Sequence, residues 1–113
     1  MAQFAVLMTE NDDAWGQLPA AEREALLAKY MAWVAELQKA DRMRGGAPLG
    51  GPGRVLRQVG GAIVEAPCTA TKDVLTGWFL IEAKDLGDAT AVARGCPALL
   101  HGESVIVRPL GHM

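Results

Sequence analysis

The stretch RVLRQVGGAIVEA, residues 54–66, places two runs of strand-forming residues on either side of Gly60 and Gly61. A glycine pair between such runs predicts a β-hairpin, because glycine tolerates the positive φ angles that tight hairpin turns need. Once this stretch is set apart as a hairpin, the order of the remaining elements decides the fold.

Two elements and a loop precede the hairpin. Residues 3–8, QFAVLM, are almost wholly apolar, which is typical of a strand buried on both faces. Pro19 opens a helical pattern over residues 19–41, with apolar side chains at three- and four-residue spacing. Residues 42–54 are rich in glycine and proline and predict a loop that begins with a short strand.

Three elements follow the hairpin. The apolar run TGWFLIEA, residues 76–83, predicts a strand. Asp85 then has the position and chemistry of an N-cap for a shorter helix over residues 86–94, which Gly95 ends. The run SVIVRP, residues 104–109, predicts the last strand.

Without the hairpin, the order is βαββαβ, which predicts a single α+β domain over residues 1–113 with a ferredoxin-like sheet and an inserted hairpin. Two helices can cover only one face of that sheet. An apolar sheet face left open is not sustainable in a monomer, so we expect two chains to pack sheet to sheet as a homodimer.

The charge and hydropathy of the sequence argue against nucleic acid and membranes as partners. Eleven Lys and Arg against thirteen Asp and Glu give a net charge of −2, with no basic run to neutralise phosphates, so nucleic acid is not expected as a partner. The start of the chain, MAQFAVLM, lacks a positive n-region, and its apolar run is too short to span a bilayer. We therefore expect a cytoplasmic protein with no membrane partner.

The cysteines and histidines do not predict a metal or cofactor site. Cys68 and Cys96 form no CxxC pair, and His101 and His112 have no metal-ligand spacing. We expect no metal and no cofactor.

The chain resembles the YCII-related proteins, in particular their Asp-Gly-Pro-Phe (DGPF) subgroup, over nearly its whole length. The resemblance lies in the first strand followed by Asn11, Asp12, Asp13 and Trp15, in LPAAEREALL, in GGAPL, in EAPCTATKD before GWFLIE, and in CPALLHGESVIVRPL. It implies a dimeric α+β barrel. Because genes of this subgroup often neighbour extracytoplasmic-function sigma factors, it also implies a partner related to sigma factors.

The chain departs from the family pattern at informative positions. Glu65, Ala66, Pro67 and Cys68 stand where the subgroup carries Asp-Gly-Pro-Phe, so that only Pro67, and Lys72 further on, match. The superfamily includes a dehydrochlorinase and proteins with a proposed His-Asp catalytic pair, but Tyr30 stands near the slot of that histidine. The family's catalytic pair therefore cannot be carried over to this sequence.

Cys68 and Lys72 are candidate ligand-binding residues. Lys72, four residues beyond Cys68, would lower the pKa of the thiol if a helical turn began near Thr69. The alternative is that Cys68 fills, as a small hydrophobic residue, the pocket that relatives fill with phenylalanine.

His101, Glu65 and Arg108 are candidates for chemistry. His101 can act as acid or base near neutrality, and Glu65 facing Lys72 at the mouth of a dimer cavity would have a shifted pKa. Arg108, if it points inward, would hold an anion. The alternatives are a turn histidine bonded to backbone, a solvated ion pair and an outward arginine.

Tyr30, Trp33 and Trp78 could line a pocket for an aromatic small molecule, with core packing as the alternative.

Two functions from different classes remain open. One is a dimeric module that binds a small ligand or a regulatory partner. The other is a cofactor-independent enzyme, of isomerase or lyase type, acting on an aromatic or lactone-like substrate in the dimer cavity. In this enzyme, His101 and Glu65 would transfer protons and Arg108 would bind an anionic group of the substrate.

Overall fold

The structure is a computed structural model that describes residues 1–50, 53–68 and 73–111. Its elements follow one another in the predicted order, and the chain adds a short 3₁₀ turn before the last strand. In chain order they are β1 (Ala2–Glu10), α1 (Ala20–Lys39), β2 (Met43–Pro48), β3 (Arg54–Val59), β4 (Ala62–Pro67), β5 (Val74–Ala83), α2 (Leu86–Ala93), the 3₁₀ turn (Pro97–Leu100) and β6 (Ser104–Pro109).

Four strands form one antiparallel sheet in the order β2-β5-β1-β6. The first strand of the chain therefore lies inside the sheet, between the strands that follow the hairpin. This is the strand order of a ferredoxin-like βαββαβ domain, and the predicted fold class is confirmed. Strands β3 and β4 form a separate two-stranded sheet.

The core lies between the sheet and the two helices. Phe4, Val6 and Met8 alternate along β1 and are all buried, as expected for one face of a strand. From α1, Trp33 meets Phe79 of β5 edge to face, with ring centroids 5.1 Å apart. These contacts hold α1 across the sheet.

The helix starts differ in how they are capped. The side chain of Asp85 accepts a hydrogen bond from the backbone N–H of Asp88 at 2.8 Å, which confirms the predicted cap of α2. Helix α1 begins after Pro19, which has no side chain able to cap it. Within the described residues, no helix has the length and hydropathy that crossing a membrane would require.

The face of the sheet away from the helices is apolar, and none of the described residues covers it. The pairing register places Leu7 beside both Trp78 and Ile106 on this face. Trp78 is 37% exposed and Ile106 is 44% exposed. We call this surface the open face.

The hairpin β3–β4, with its base at Gly53 and Cys68, extends away from the sheet, and we call residues 53–68 the arm. Its turn has positive φ at Gly60 and Gly61, 56° and 82°, which confirms the predicted role of the glycine pair. In the described part of the chain, no helix packs along the arm, and its strands pair only with each other.

Candidate active site

A group of buried polar side chains lies at one end of the sheet, on the side of the helices. It forms where β1 ends and where β5 and β6 begin, and the 3₁₀ turn and α1 close over it. We call it the His101 cluster. Its members are Glu10, Tyr30, Thr76, His101 and Glu103.

His101 is the centre of the cluster, and its side chain is only 1% exposed. Its Nε2 atom lies 2.9 Å from the hydroxyl of Tyr30, and its Nδ1 atom lies 3.2 Å from Oε2 of Glu103. With the residues that the structure describes, Nδ1 makes no hydrogen bond of good geometry. Because a phenol has one proton to donate, we assign Tyr30 as donor to Nε2, with the ring proton on Nδ1 towards Glu103.

Two carboxyl groups of the His101 cluster are buried. The Glu103 side chain is 4% exposed and accepts a hydrogen bond from the hydroxyl of Thr76. Glu10 is 8% exposed and accepts from the backbone N–H of Trp15 at 2.9 Å. Carboxylates are rarely this buried, so the cluster costs stability that an apolar core would not.

Burial is the main cause of the pKa shifts in the His101 cluster. It raises the pKa of the Glu103 carboxyl, against the hydrogen bond from Thr76 and the charge of His101, while Glu10 raises it further. Burial also raises the pKa of Tyr30, with the charge of Glu103 adding to the effect. Tyr30 therefore stays a neutral phenol at physiological pH, able to donate a proton or to pass one on.

A loop covers the cluster from outside. Residues 11–18 join β1 to α1, with Asp12 and Asp13 at positive φ. The loop brings Trp15 against His101, with ring centroids 5.3 Å apart and an angle of 63° between the planes. The imidazole is therefore enclosed by Trp15 on one side and α1 on the other.

A cleft of about 350 Å³ opens between α1 and the β2 edge of the sheet. Both apolar and polar residues line it, namely Val34, Gln38, Met43, Arg44, Gly45, Gly46 and Phe79. Position 46 must be glycine because a Cβ there would collide with the Phe79 ring. Val34 follows Tyr30 by one helical turn, which places their Cβ atoms about 6 Å apart, so Tyr30 neighbours the cleft without being one of the residues that line it.

Of the predicted site residues that the structure describes, only His101 and Tyr30 lie in contact in the cluster. Trp33 lies in the core against Phe79, as the core-packing alternative holds. Trp78 and Arg108 both lie on the open face, where Arg108 pairs with Ala5 and Trp78 with Leu7.

The remaining predicted site residues belong to the arm and its surroundings. Glu65 is exposed and bonds Arg54 at 3.1 Å, an ion pair with a different partner from the Lys72 that the sequence suggested. Cys68 is exposed at the base of the arm. Lys72 lies outside the described residues. Among the contacts of the described residues, none joins Glu65 or Arg108 to the His101 cluster.

Glu10, Thr76 and Glu103 were missed by the sequence analysis. A glutamate ending an apolar strand and a second glutamate two residues after His101 are the only signals, and each is common in surface turns. Among the described residues, no three His, Cys, Asp or Glu side chains are arranged to hold a metal ion.

The fold is that of a ferredoxin-like α+β domain with an inserted hairpin. Residues 2–110 match the YCII-related domain, and the chain belongs to that family. Proteins of this family are typically dimeric. A search of curated proteins returns no match.

One solved structure is similar over almost the whole chain. It is 5-chloro-2-hydroxyhydroquinone dehydrochlorinase (TftG) from Burkholderia phenoliruptrix AC1100, in complex with 2,5-dihydroxybenzoquinone. The TM-score is 0.60 at 17% sequence identity, and the match covers 98% of this chain and 95% of the other. At this identity the likeness shows a shared fold.

Proposed function

We propose that the protein is a cofactor-independent acid–base enzyme of isomerase or lyase type, with Tyr30, His101 and Glu103 as its proton-transfer groups. One observation carries this proposal. The three side chains form an enclosed line, with 2.9 Å between the Tyr30 hydroxyl and Nε2 of His101 and 3.2 Å between Nδ1 and Glu103. Titratable groups placed together at a cost in stability are typical of catalytic sites.

The line can accept a proton at its Tyr30 end. Tyr30 takes a proton from the substrate while its own hydroxyl proton passes to Nε2 of His101. The resulting imidazolium lies beside the carboxylate of Glu103, which stabilises the positive charge and orients the ring. Return of the proton to another substrate atom gives isomerisation. If a neighbouring group instead leaves with its bonding electrons as an anion, the result is elimination.

The cleft supports a small ring as substrate. Its volume of about 350 Å³ is at the lower end of the range for small-molecule sites, and Val34 and Phe79 give it apolar walls. The similar dehydrochlorinase is complexed with a dihydroxybenzoquinone, which is a ring of this size. We therefore propose hydroxylated aromatic rings, quinones or small lactones as the substrate class.

Hydrogen exchange with solvent tests the proposal without knowledge of the complete reaction. A chlorinated hydroxyhydroquinone, an aromatic keto acid and an unsaturated γ-lactone would each be incubated with the protein in D₂O and followed by NMR. We expect the protein to speed deuterium incorporation into at least one of them. Because a positioned acid or base contributes about 10²–10⁴-fold, Tyr30→Phe and His101→Gln should each lower that rate at least about 100-fold.

A matched pair of variants separates catalysis from general damage. Glu103→Gln should slow exchange, whereas Glu36→Gln, the same change on the exposed side of α1, should leave it unchanged. Exchange no faster with the protein than without it, for all three compounds, would contradict the proposal.

A second candidate function is a homodimer that binds a small ligand between its two sheets. The observation that favours it is the open face, where Trp78 and Ile106 are exposed in one chain and Arg108 lies at the same surface. Burying such a face between two copies would leave room for a ring against Trp78 and an anionic group at Arg108. Light scattering should report about twice the chain mass of 12.0 kDa. A stable monomer at micromolar concentration would exclude this function.

A further inference from the structure

Thr76 is the extra residue of a β-bulge beside the His101 cluster. Met8 of β1 pairs with Gly77 of β5, but the next residue of β1, Thr9, already pairs with Leu75. Thr76 therefore stands between two positions of the ladder, which is the pattern of a bulge. Bulges bend a strand and redirect a side chain, and natural sheets often place them next to active sites.

The bulge decides which way the Thr76 side chain points. Because side chains alternate along a strand, Thr76 would otherwise share the open face with Trp78, two residues further along β5. Instead its hydroxyl reaches Glu103 in the His101 cluster, on the side of the helices. The carbonyl oxygen of Thr76 accepts a hydrogen bond from the backbone N–H of Leu49 at 2.8 Å, which fixes the bulge against the end of β2.

The Thr76 hydroxyl has one proton and two acceptors within reach. Its Oγ1 atom lies 2.5 Å from Oε1 of Glu103 and 3.2 Å from the carbonyl oxygen of Met8. Hydrogen bonds from a hydroxyl to a carboxylate are typically about 2.5–2.7 Å long, so the proton belongs to the bond with Glu103. Threonine is branched at Cβ and its χ1 angle is restricted, which holds the hydroxyl in that direction.

We propose that Thr76 is a positioning residue for the proton-transfer line, holding the Glu103 carboxylate with Oε2 towards Nδ1 of His101. The Thr76 hydroxyl occupies Oε1, and the other oxygen lies 3.2 Å from Nδ1. In this role Thr76 acts through Glu103 and not on the substrate. The inference rests on the proposed function for the use of the line, and it adds the residue that prepares the carboxylate for an imidazolium.

The same hydrogen bond affects the charge of Glu103. Burial raises the pKa of the Glu103 carboxyl, whereas the hydrogen bond from Thr76 and the charge of His101 lower it, and the charge of Glu10 on β1 raises it. A protonated Glu103 could not stabilise a positive charge on His101. Thr76 therefore extends to lower pH the range in which the line can work.

Tyr30 from α1 and Cys96 from the start of the 3₁₀ turn also interact with Glu103, as neutral groups. Burial is the main cause of the raised pKa of both, which is about 11 for Cys96. Neither group therefore changes its charge in the pH range in which Glu103 titrates.

Carboxyl ¹³C NMR tests the inference through the titration of Glu103, whose signal is assigned by its absence from Glu103→Gln. Thr76→Val keeps the branched shape and removes the hydroxyl. Losing a hydrogen bond to a charged group should move the midpoint of the Glu103 titration upwards by about one pH unit or more. Thr76→Ser keeps the hydroxyl and should leave the midpoint close to the native one. Thr90→Val, the same change at a hydroxyl bonded to the carbonyl of Leu86 on α2, should not move it.

Deuterium incorporation into the three test compounds gives a second readout. The acid limb of the rate should move to higher pH with the Glu103 titration, so on that limb Thr76→Val should be about tenfold slower than the native protein. At higher pH, where Glu103 is ionised in both proteins, the two rates should converge. Thr76→Ser should recover most of the rate.

The outcomes separate this inference from the proposed function. An unchanged Glu103 midpoint in Thr76→Val, or a midpoint that moves as far in Thr76→Ser, would overturn the inference. Thr76→Ala removes the hydroxyl with less bulk and supplies the same measurement if Thr76→Val does not fold. A shifted midpoint in a protein that speeds exchange of no test compound would contradict the proposed function alone. A rate that falls by one factor at every pH would overturn the positioning role alone.

Discussion

Replacing Tyr30 by phenylalanine isolates the hydrogen bond at the centre of the candidate active site. The substitution keeps the ring and so leaves no large cavity, but it removes the hydroxyl bonded to Nε2 of His101. Nδ1 already has no hydrogen bond of good geometry. In the variant, neither nitrogen of the buried imidazole would have a hydrogen bond of good geometry to a described residue.

A buried polar atom that loses its partner costs about 1–3 kcal/mol of unfolding free energy. With a urea m-value of about 2 kcal/mol/M for a protein of this size, Tyr30→Phe should lower the unfolding midpoint by roughly 1 M. Tryptophan fluorescence would follow the transition, at one fixed protein concentration because a dimer's stability depends on it. Met31→Leu, at the adjacent and 74% exposed position on α1, should shift the midpoint by less than a quarter of that amount.

An unchanged midpoint in Tyr30→Phe would refute the reasoning, since it would mean that the Tyr30–His101 bond is not formed in solution. Tyr30→Phe should also incorporate deuterium into the three test compounds much more slowly than the native protein does.

Three further predictions concern titration, thiol reactivity and capping. Because burial raises the pKa of Glu103 in the folded state, the folded protein binds more protons than the unfolded one above about pH 4.5, and its stability should fall as pH rises from there through the folded pKa. The free energy of unfolding should fall by about 1.4 kcal/mol for each pH unit that separates the unfolded pKa from the folded one. Urea titrations at several pH values should show this fall in the native protein and in Glu36→Gln, but not in Glu103→Gln. In the native protein iodoacetamide should label Cys68 alone, because Cys96 is 1% exposed and burial raises its pKa to about 11; mass spectrometry finding two labels would contradict this. Asp85→Ala should cost about 1 kcal/mol and lower the melting temperature by about 4 °C, and an unchanged melting temperature would mean that the cap contributes nothing.

The fold could be predicted from the sequence because local signals agreed with one another. The glycine pair at 60 and 61 marked the hairpin, and apolar periodicity marked the strands and α1. The predicted bounds of β6, residues 104–109, coincide with the observed ones. The open face also followed from the sequence, since two helices cannot cover both sides of a four-stranded sheet.

The candidate site could be predicted only in part, because its members come from distant parts of the chain. Tyr30 and His101 are 71 residues apart, and nothing in either local sequence indicates that the two side chains meet. Glu10 and Glu103 are buried by the loop around Trp15 and by the 3₁₀ turn, neither of which has a periodic pattern. A partner related to sigma factors and a cytoplasmic location stay predictions.

The most direct test of the proton-transfer line is ¹⁵N NMR of the His101 imidazole in the resting protein near neutral pH, assigned by comparison with His101→Gln. The account predicts a single tautomer with its proton on Nδ1, towards Glu103, and a bare Nε2 that accepts from Tyr30. A proton found on Nε2 would leave the ring unable to take one from Tyr30, and would contradict the proposed function at its central step.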